Sequence, residues 1–176
     1  MNTKYGAGNA KIGEIVGGTS EDGKRLRDKF LKNTPAIKKL QQKIKNTLAP
    51  FDRKTQSRVW KRKYLIGLDG RKLYVRSLHS ALNLLLQSAG ALICKRWVTR
   101  TEERLLERGL KHDWSGDFAY LAWIHDEIQV ACRTKEIADI VVHEAQQAVR
   151  DVQEEFKIRI QLDTEGKIGK NWSDCH

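Results

Sequence analysis

Residues 123–130 read Trp-Ile-His-Asp-Glu-Ile-Gln-Val, an acidic pair behind a histidine with apolar residues on both sides that pattern as two short strands. A tight turn between such strands fixes the direction of Asp126 and Glu127. Adjacent carboxylates at a strand end are one way to present oxygen ligands to Mg²⁺. A solvated hairpin tip that happens to carry two acids is the competing reading of the segment taken alone.

The elements that must position this tip are legible around it. The hairpin is expected over about 118–133, followed by a helix over 136–155 and an alternating strand at Lys157-Ile-Arg-Ile-Gln-Leu-Asp163. Upstream, a long helix is predicted over roughly 78–108 and closed by Gly109. Its first half is apolar on most sides yet holds Asn83, Gln87, Ser88 and Gly90, which predicts deep burial at that end. Residues 60–77 suggest a basic strand pair turned through Leu68-Asp69-Gly70-Arg71, where Asp-Gly is a strong hairpin signal. Before it come a glycine-rich stretch with a short apolar helix over 5–18, a charged helix from about Glu21, and a helix opened by Pro35 and ended at Ala49-Pro50. That order predicts an α+β fold with helices packed on one face of an antiparallel sheet.

The charge is uneven. The chain of 176 residues carries 33 Lys+Arg against 22 Asp+Glu, a net +11. Residues 1–76 hold 20 basic and 6 acidic residues, whereas residues 77–176 hold 13 and 16. A basic half beside a near-neutral half with a carboxylate pair suits a polyanion gripped by Lys and Arg while a metal does the chemistry. The alternative for the basic half is a solvated helix surface. Cys94, Cys132 and Cys175 are widely spaced and odd in number, which predicts reduced thiols and a cytosolic setting. No run approaches the roughly 20 apolar residues of a membrane span, so no membrane partner is expected. The early glycines lack a preceding strand and a following Gly-Lys-Ser/Thr, so they do not make a phosphate loop. No Cys/His set has zinc spacing and no Gly-x-Ser-x-Gly elbow occurs.

Five motifs stand in order along the chain: Tyr5-Gly-Ala-Gly, Gly67-Leu-Asp-Gly-Arg71-Lys, Ala81-Leu-Asn83-Leu-Leu-Leu-Gln87-Ser-Ala-Gly, Ile124-His125-Asp126-Glu127, and Asn171-Trp172-Ser-Asp-Cys-His176. Together they resemble the C-terminal end of family A DNA polymerases, and are most similar to the replicative polymerases of short-tailed bacteriophages. The resemblance implies distal fingers helices over 1–59 and a palm subdomain over 60–176, the palm holding the basic hairpin, the long helix and the His-Asp-Glu hairpin. It implies template-directed nucleotide addition to a DNA 3′ end, with two Mg²⁺ ions about 3.5–4 Å apart, primer–template DNA and deoxynucleoside triphosphates as partners, and, for a viral protein, the host cytoplasm as its setting.

Carried over by motif, Asp126 matches the metal-binding aspartate, Glu127 its neighbour, and His125 the histidine that supports the primer terminus. Arg71, with Lys72 beside it, matches the basic hairpin near the primer–template minor groove. Asn83 and Gln87, with His79 just upstream, match the long-helix region that senses the terminal pair, and Tyr5 falls at the tail of the nucleotide-gripping fingers helix. Amide and guanidinium donors suit that task, because every Watson–Crick pair offers minor-groove acceptors at similar places. Capping or packing at a helix start is the alternative for Asn83 and Gln87.

Against that resemblance, the partner aspartate from an earlier strand motif, the body of the fingers helix, the thumb and the proofreading exonuclease are missing. Met1 and three residues unlike the family, followed by the join at Tyr5, favour a naturally split polymerase whose N-terminal chain brings the missing parts. An incomplete product and a nucleic-acid-binding module without catalysis are the other expectations. On the split reading, the surface facing the missing half is apolar, at the glycine-rich stretch and the start of the long helix.

Overall fold

The structure is a computed structural model that describes residues 8–175. The chain divides into two compact units, Met1–Gly90 and Ala91–His176.

In the first unit, α1 (Asn9–Ile15) and α2 (Ser20–Asn33) lie close against each other. A Cβ on Gly23 would stand 2.0 Å from the Asn9 carbonyl oxygen, so only glycine allows the backbones to approach this far. Thr19 caps α2 in a reciprocal box with Asp22, each side chain taking the other's backbone N–H. Pro35 opens α3 (Pro35–Leu48) at its first turn, where its missing N–H costs nothing. Ile37, Leu40, Ile44 and Leu48 repeat at helical spacing and form a core with Leu65, Leu73, Val75, Ala81 and Leu82. Two small antiparallel hairpins follow: β1 (Phe51–Asp52) with β2 (Ser57–Arg58), and β3 (Tyr64–Ile66) with β4 (Lys72–Tyr74). The first of these carries no alternating apolar pattern, so no local sequence signal marks it.

Helix α4 (Ala81–Glu107) is the long helix expected from the sequence. Gly109 ends it at φ +82°, with the N–H groups of Gly109 and Leu110 donating to the carbonyls of Leu106 and Leu105, which is the Schellman closure. Deep burial at its start is corrected: Ala81 and Leu82 are buried, but Leu86, Gln87 and Gly90 are exposed, so one stripe rather than the whole circumference faces the core.

In the second unit, α4 runs against α5 (Lys135–Glu155), with β5 (Phe118–Ile124) and β6 (Glu127–Cys132) forming a hairpin beside them. Trp97, Ala145, Ala148, Val149 and Val152 form one apolar cluster with Ile93 and Ile128 against it. Leu105, Phe118 and Val141 form another with Tyr120 and Val130. The Trp97 indole donates to the Ala145 carbonyl at 2.8 Å. Charge fixes the register along the rim of this core. Arg96 pairs with Glu155 at 2.8 Å, Arg100 with Asp151 at 2.8 Å, Arg104 with Glu144 at 2.7 Å and Arg108 with Glu144 at 2.6 Å. As the arginines ascend α4 their partners descend α5, so the two helices are antiparallel.

Two expectations about the sheet are corrected. There is no single antiparallel sheet: among the described residues the strands form three separate two-stranded hairpins, so the α+β class is right and its sheet layout is not. Nor is 157–163 a strand. Lys157 turns the chain at φ +52°, and the Ile158 N–H returns to the Gln153 carbonyl. The Leu162 N–H is taken at 2.6 Å by the Gln153 side chain, the place a ladder partner would occupy.

Glu144 is 1% exposed. Burial alone would raise its pKa, but the hydrogen bonds from Arg104, His143 and Arg108 outweigh it and hold the carboxyl below its ordinary 4.5. A depressed folded-state value contributes stability above the unfolded pKa that is lost as pH falls through the folded one. Glu144→Ala, which leaves two guanidinium groups without their anion, should cost about 3 kcal/mol in urea unfolding at pH 7. The gap between wild type and Glu144→Gln should narrow as the pH is taken below 4.5. A gap that stays constant down to the acid transition would show that the charge of Glu144 contributes nothing.

Candidate active site

The β5–β6 hairpin positions the acidic tip. Its register runs from Phe118↔Cys132 to Ile124↔Glu127, leaving His125 and Asp126 as a two-residue loop. Positive φ falls on His125 (+57°) and not on Asp126, the sign pattern of a type II′ turn, whose first loop position favours glycine. A histidine there is strained, and strained backbone collects at functional sites. The Trp123 indole donates to the His125 carbonyl at 3.0 Å and ties the turn to its own strand. Leu121 is the extra residue where the register shifts between Tyr120 and Ala122, a bulge that re-aims the strand just before the tip.

The two acids are placed differently. Asp126 lies in the loop itself, exposed. Glu127 is not in the turn, as the sequence suggested, but is the first residue of β6, where Gln129 on the same strand face donates to its carboxylate at 2.9 Å. Among the described residues no hydrogen bond or ion pair engages Asp126. Its charge is felt by Cys94 of α4, whose thiol is pushed up first by burial and then by Asp126. No group of three or more His, Cys, Asp or Glu gathers to hold a metal among the described residues. One or two carboxylates completed by substrate phosphates is nonetheless how Mg²⁺ is commonly bound, so Asp126 fits one wall of such a site.

The other residues picked out from the sequence lie in the first unit. Arg71 and Lys72 are exposed at the β3–β4 turn, with Arg71 in an ion pair with Asp69 and Lys72 Nζ 5.0 Å from the centre of the Tyr64 ring. Arg62 meets the same ring at 5.1 Å, so Tyr64 is flanked by two cations. His79 is exposed in the turn before α4. Asn83 and Gln87 are one helical turn apart and share a face. Gln87 is exposed, while the Asn83 side-chain oxygen is buried without a hydrogen-bond partner among the described residues. His125, Asp126 and Glu127 belong to the second unit. Tyr5 and His176 lie outside the described residues. Sequence reasoning missed Trp123 and Gln129 as supports of the tip. Their spacing, two residues before His125 and two after Glu127, was the available signal.

The chain thus combines a basic half with a carboxylate held exposed at a strained hairpin tip. Comparison with known sequences places it further. Residues 2–174 match DNA polymerase family A, to which this chain belongs. It is 60% identical over 175 residues to the DNA-directed DNA polymerase of Enterobacteria phage T3 and 58% identical over 175 residues to that of Escherichia phage T7. Each alignment covers 98% of this chain and 25% of the relative. DNA polymerase I of Aquifex aeolicus is 26% identical over 164 residues, 93% of this chain and 26% of its own length. The chain therefore spans about a quarter of the length of the curated relatives it matches.

The strain at His125 has a measurable consequence. His125→Val should lower stability by about 1–2 kcal/mol, because a β-branched residue resists positive φ more than histidine does. His125→Gly should leave the urea midpoint unchanged or slightly higher. Equal losses in both variants would mean that the imidazole's contacts, not the backbone, set the turn.

Proposed function

We propose that this chain supplies one wall of a two-metal nucleotidyl-transfer site in a DNA-directed DNA polymerase. Asp126 is the metal-binding carboxylate, Glu127 a secondary one beside it, and His125 a support for the primer terminus. The observation that carries this reading is the two-residue turn that holds Asp126 exposed and unengaged at its tip, in a chain of this family. Mg²⁺ bound there would lower the pKa of the attacking 3′-hydroxyl and offset charge on the departing pyrophosphate. The chain's own residues set direction: Gln129 orients Glu127, and Trp123 pins the His125 carbonyl.

On this reading residues 60–176 are palm and residues 1–59 distal fingers. Arg71, Lys72, His79, Asn83 and Gln87 face the minor groove of the primer–template, where amide and guanidinium donors check pair geometry without reading sequence. By its motif, Tyr5 is assigned to contact with the incoming deoxynucleoside triphosphate. The completing aspartate, the rest of the fingers, the thumb and the exonuclease belong to the other three quarters of such a polymerase, and the assembly works in the cytoplasm of an infected host cell. One carboxylate wall does not hold two Mg²⁺ ions, so the chain alone does not polymerise.

Primer extension with Mg²⁺ should appear only when this chain is mixed with the N-terminal three quarters of a T7-like polymerase. Asp126→Ala should lower it about a thousandfold, the loss of several kcal/mol of transition-state stabilisation. Assembly and DNA binding without extension would leave a scaffold that has lost its chemistry, and extension that survives Asp126→Ala would remove Asp126 from the site.

A further inference from the structure

Two-residue hairpin loops take two common forms: type I′, with positive φ at both loop residues, and type II′, with positive φ at the first only. The forms interconvert by turning over the single peptide between the two loop residues. That flip changes ψ of the first residue and φ of the second and leaves the flanking pair, here Ile124↔Glu127, in register. The second loop residue is Asp126, so the flip re-aims its side chain.

The loop's own residues suit the other form. Type II′ favours glycine at its first position, whereas histidine and aspartate both enter the left-handed region more readily than most residues, as type I′ requires of its pair. The structure nonetheless holds type II′, with positive φ at His125 (+57°) and not at Asp126. A group outside the loop decides between them.

Trp123 is placed to do so. It is the cross-strand partner of Ile128 as Tyr120 is of Val130, and Ile128 and Val130 share one face of β6. The extra residue Leu121 brings Trp123 onto that face; unbroken alternation would put it on the side opposite Tyr120. Ile128 packs on the Trp97 cluster, so the indole stands at the edge of that core, 44% exposed. From there its N–H donates at 3.0 Å to the His125 carbonyl, the carbonyl of the central peptide. Turning the peptide over would carry that oxygen to the other side and break the bond. Among the described residues no other side chain bonds the backbone of either loop residue.

We propose that Trp123 is a positioning residue: its indole N–H latches the His125–Asp126 peptide in the type II′ orientation and so sets where the Asp126 carboxylate points. One net hydrogen bond shifts an equilibrium by about two- to tenfold, enough to choose between two forms of similar stability. The bearing of the latch on catalysis rests on the polymerase reading.

The test is NMR of the isotope-labelled full chain. In wild type the amide protons of His125 and Asp126 should stand apart, and the Trp123 indole N–H should exchange with water more slowly than that of Trp114, which is 76% exposed. Trp123→Phe keeps an aromatic ring and removes the donor. A close His125–Asp126 amide contact should then appear, as in type I′, with the Ile124↔Glu127 pairing kept. Adding His125→Gly to Trp123→Phe should abolish that contact, since glycine takes the first position of type II′ without strain. In the primer-extension mixture Trp123→Phe should lower kcat about two- to tenfold with the Kd for primer–template DNA unchanged. An unaltered turn in Trp123→Phe, an indole N–H that exchanges as fast as that of Trp114, or a loss of extension matched by an equal loss of DNA affinity would each overturn the latch. A mixture without Asp126-dependent extension would remove the polymerase reading, while the turn measurements on the chain alone still decide the latch.

Discussion

Glu144 sits almost entirely out of water between Arg104 and Arg108, and both guanidinium groups approach within 2.7 Å of it. A carboxylate buried this way is tolerated only while its partners stay in place, because removing one leaves an uncompensated charge in a poor solvent for it. The pairing therefore sets the sliding position of α4 against α5 more sharply than apolar packing could, since neighbouring aliphatic side chains tolerate small shifts. Arg96, Arg100 and Asp151 extend the same lock along the seam.

The hairpin inherits its position from that seam. Phe118, Tyr120, Ile128 and Val130 pack against the helices, and the strands run on from there to the turn at His125 and Asp126. With one end of the hairpin buried, the other has little freedom: the bulge at Leu121 and the Trp123 indole set the remaining direction. Asp126 is thus an exposed group on a constrained mount. Exposure leaves its carboxylate accessible, while the mount limits the orientations it can sample, and the proposed metal-binding role needs both properties.

Charge is organised differently in the first unit. There the cations outnumber the acids, and several sit over tyrosine or beside exposed aromatics rather than in ion pairs. Salt bridges in the second unit engage the four arginines of α4 internally. One unit uses most of its arginines in its own architecture, and the other leaves many of its cations exposed, as the proposed DNA-binding role requires.

The sequence by itself determined α1 to α5, the two larger hairpins and the chemical character of the tip. Capping residues, Pro35, Gly109, Asp69-Gly70 and apolar periodicity act over a few residues, so their outcome does not depend on what lies across the molecule. The family motifs were legible for the same reason. Only the tertiary structure decided that the hairpins remain separate, that 157–163 turns back on Gln153 instead of pairing, and that Glu127 belongs to β6 while Asp126 shares the turn with His125. Those outcomes rest on which distant group satisfies a given N–H or charge. An alternating pattern such as Lys157-Ile-Arg-Ile-Gln-Leu specifies a strand only if a ladder partner is within reach. Arg96, Arg100, Arg104 and Arg108 recur every four residues, but that spacing forms a lock only because Glu144, Asp151 and Glu155 of another helix arrive opposite it.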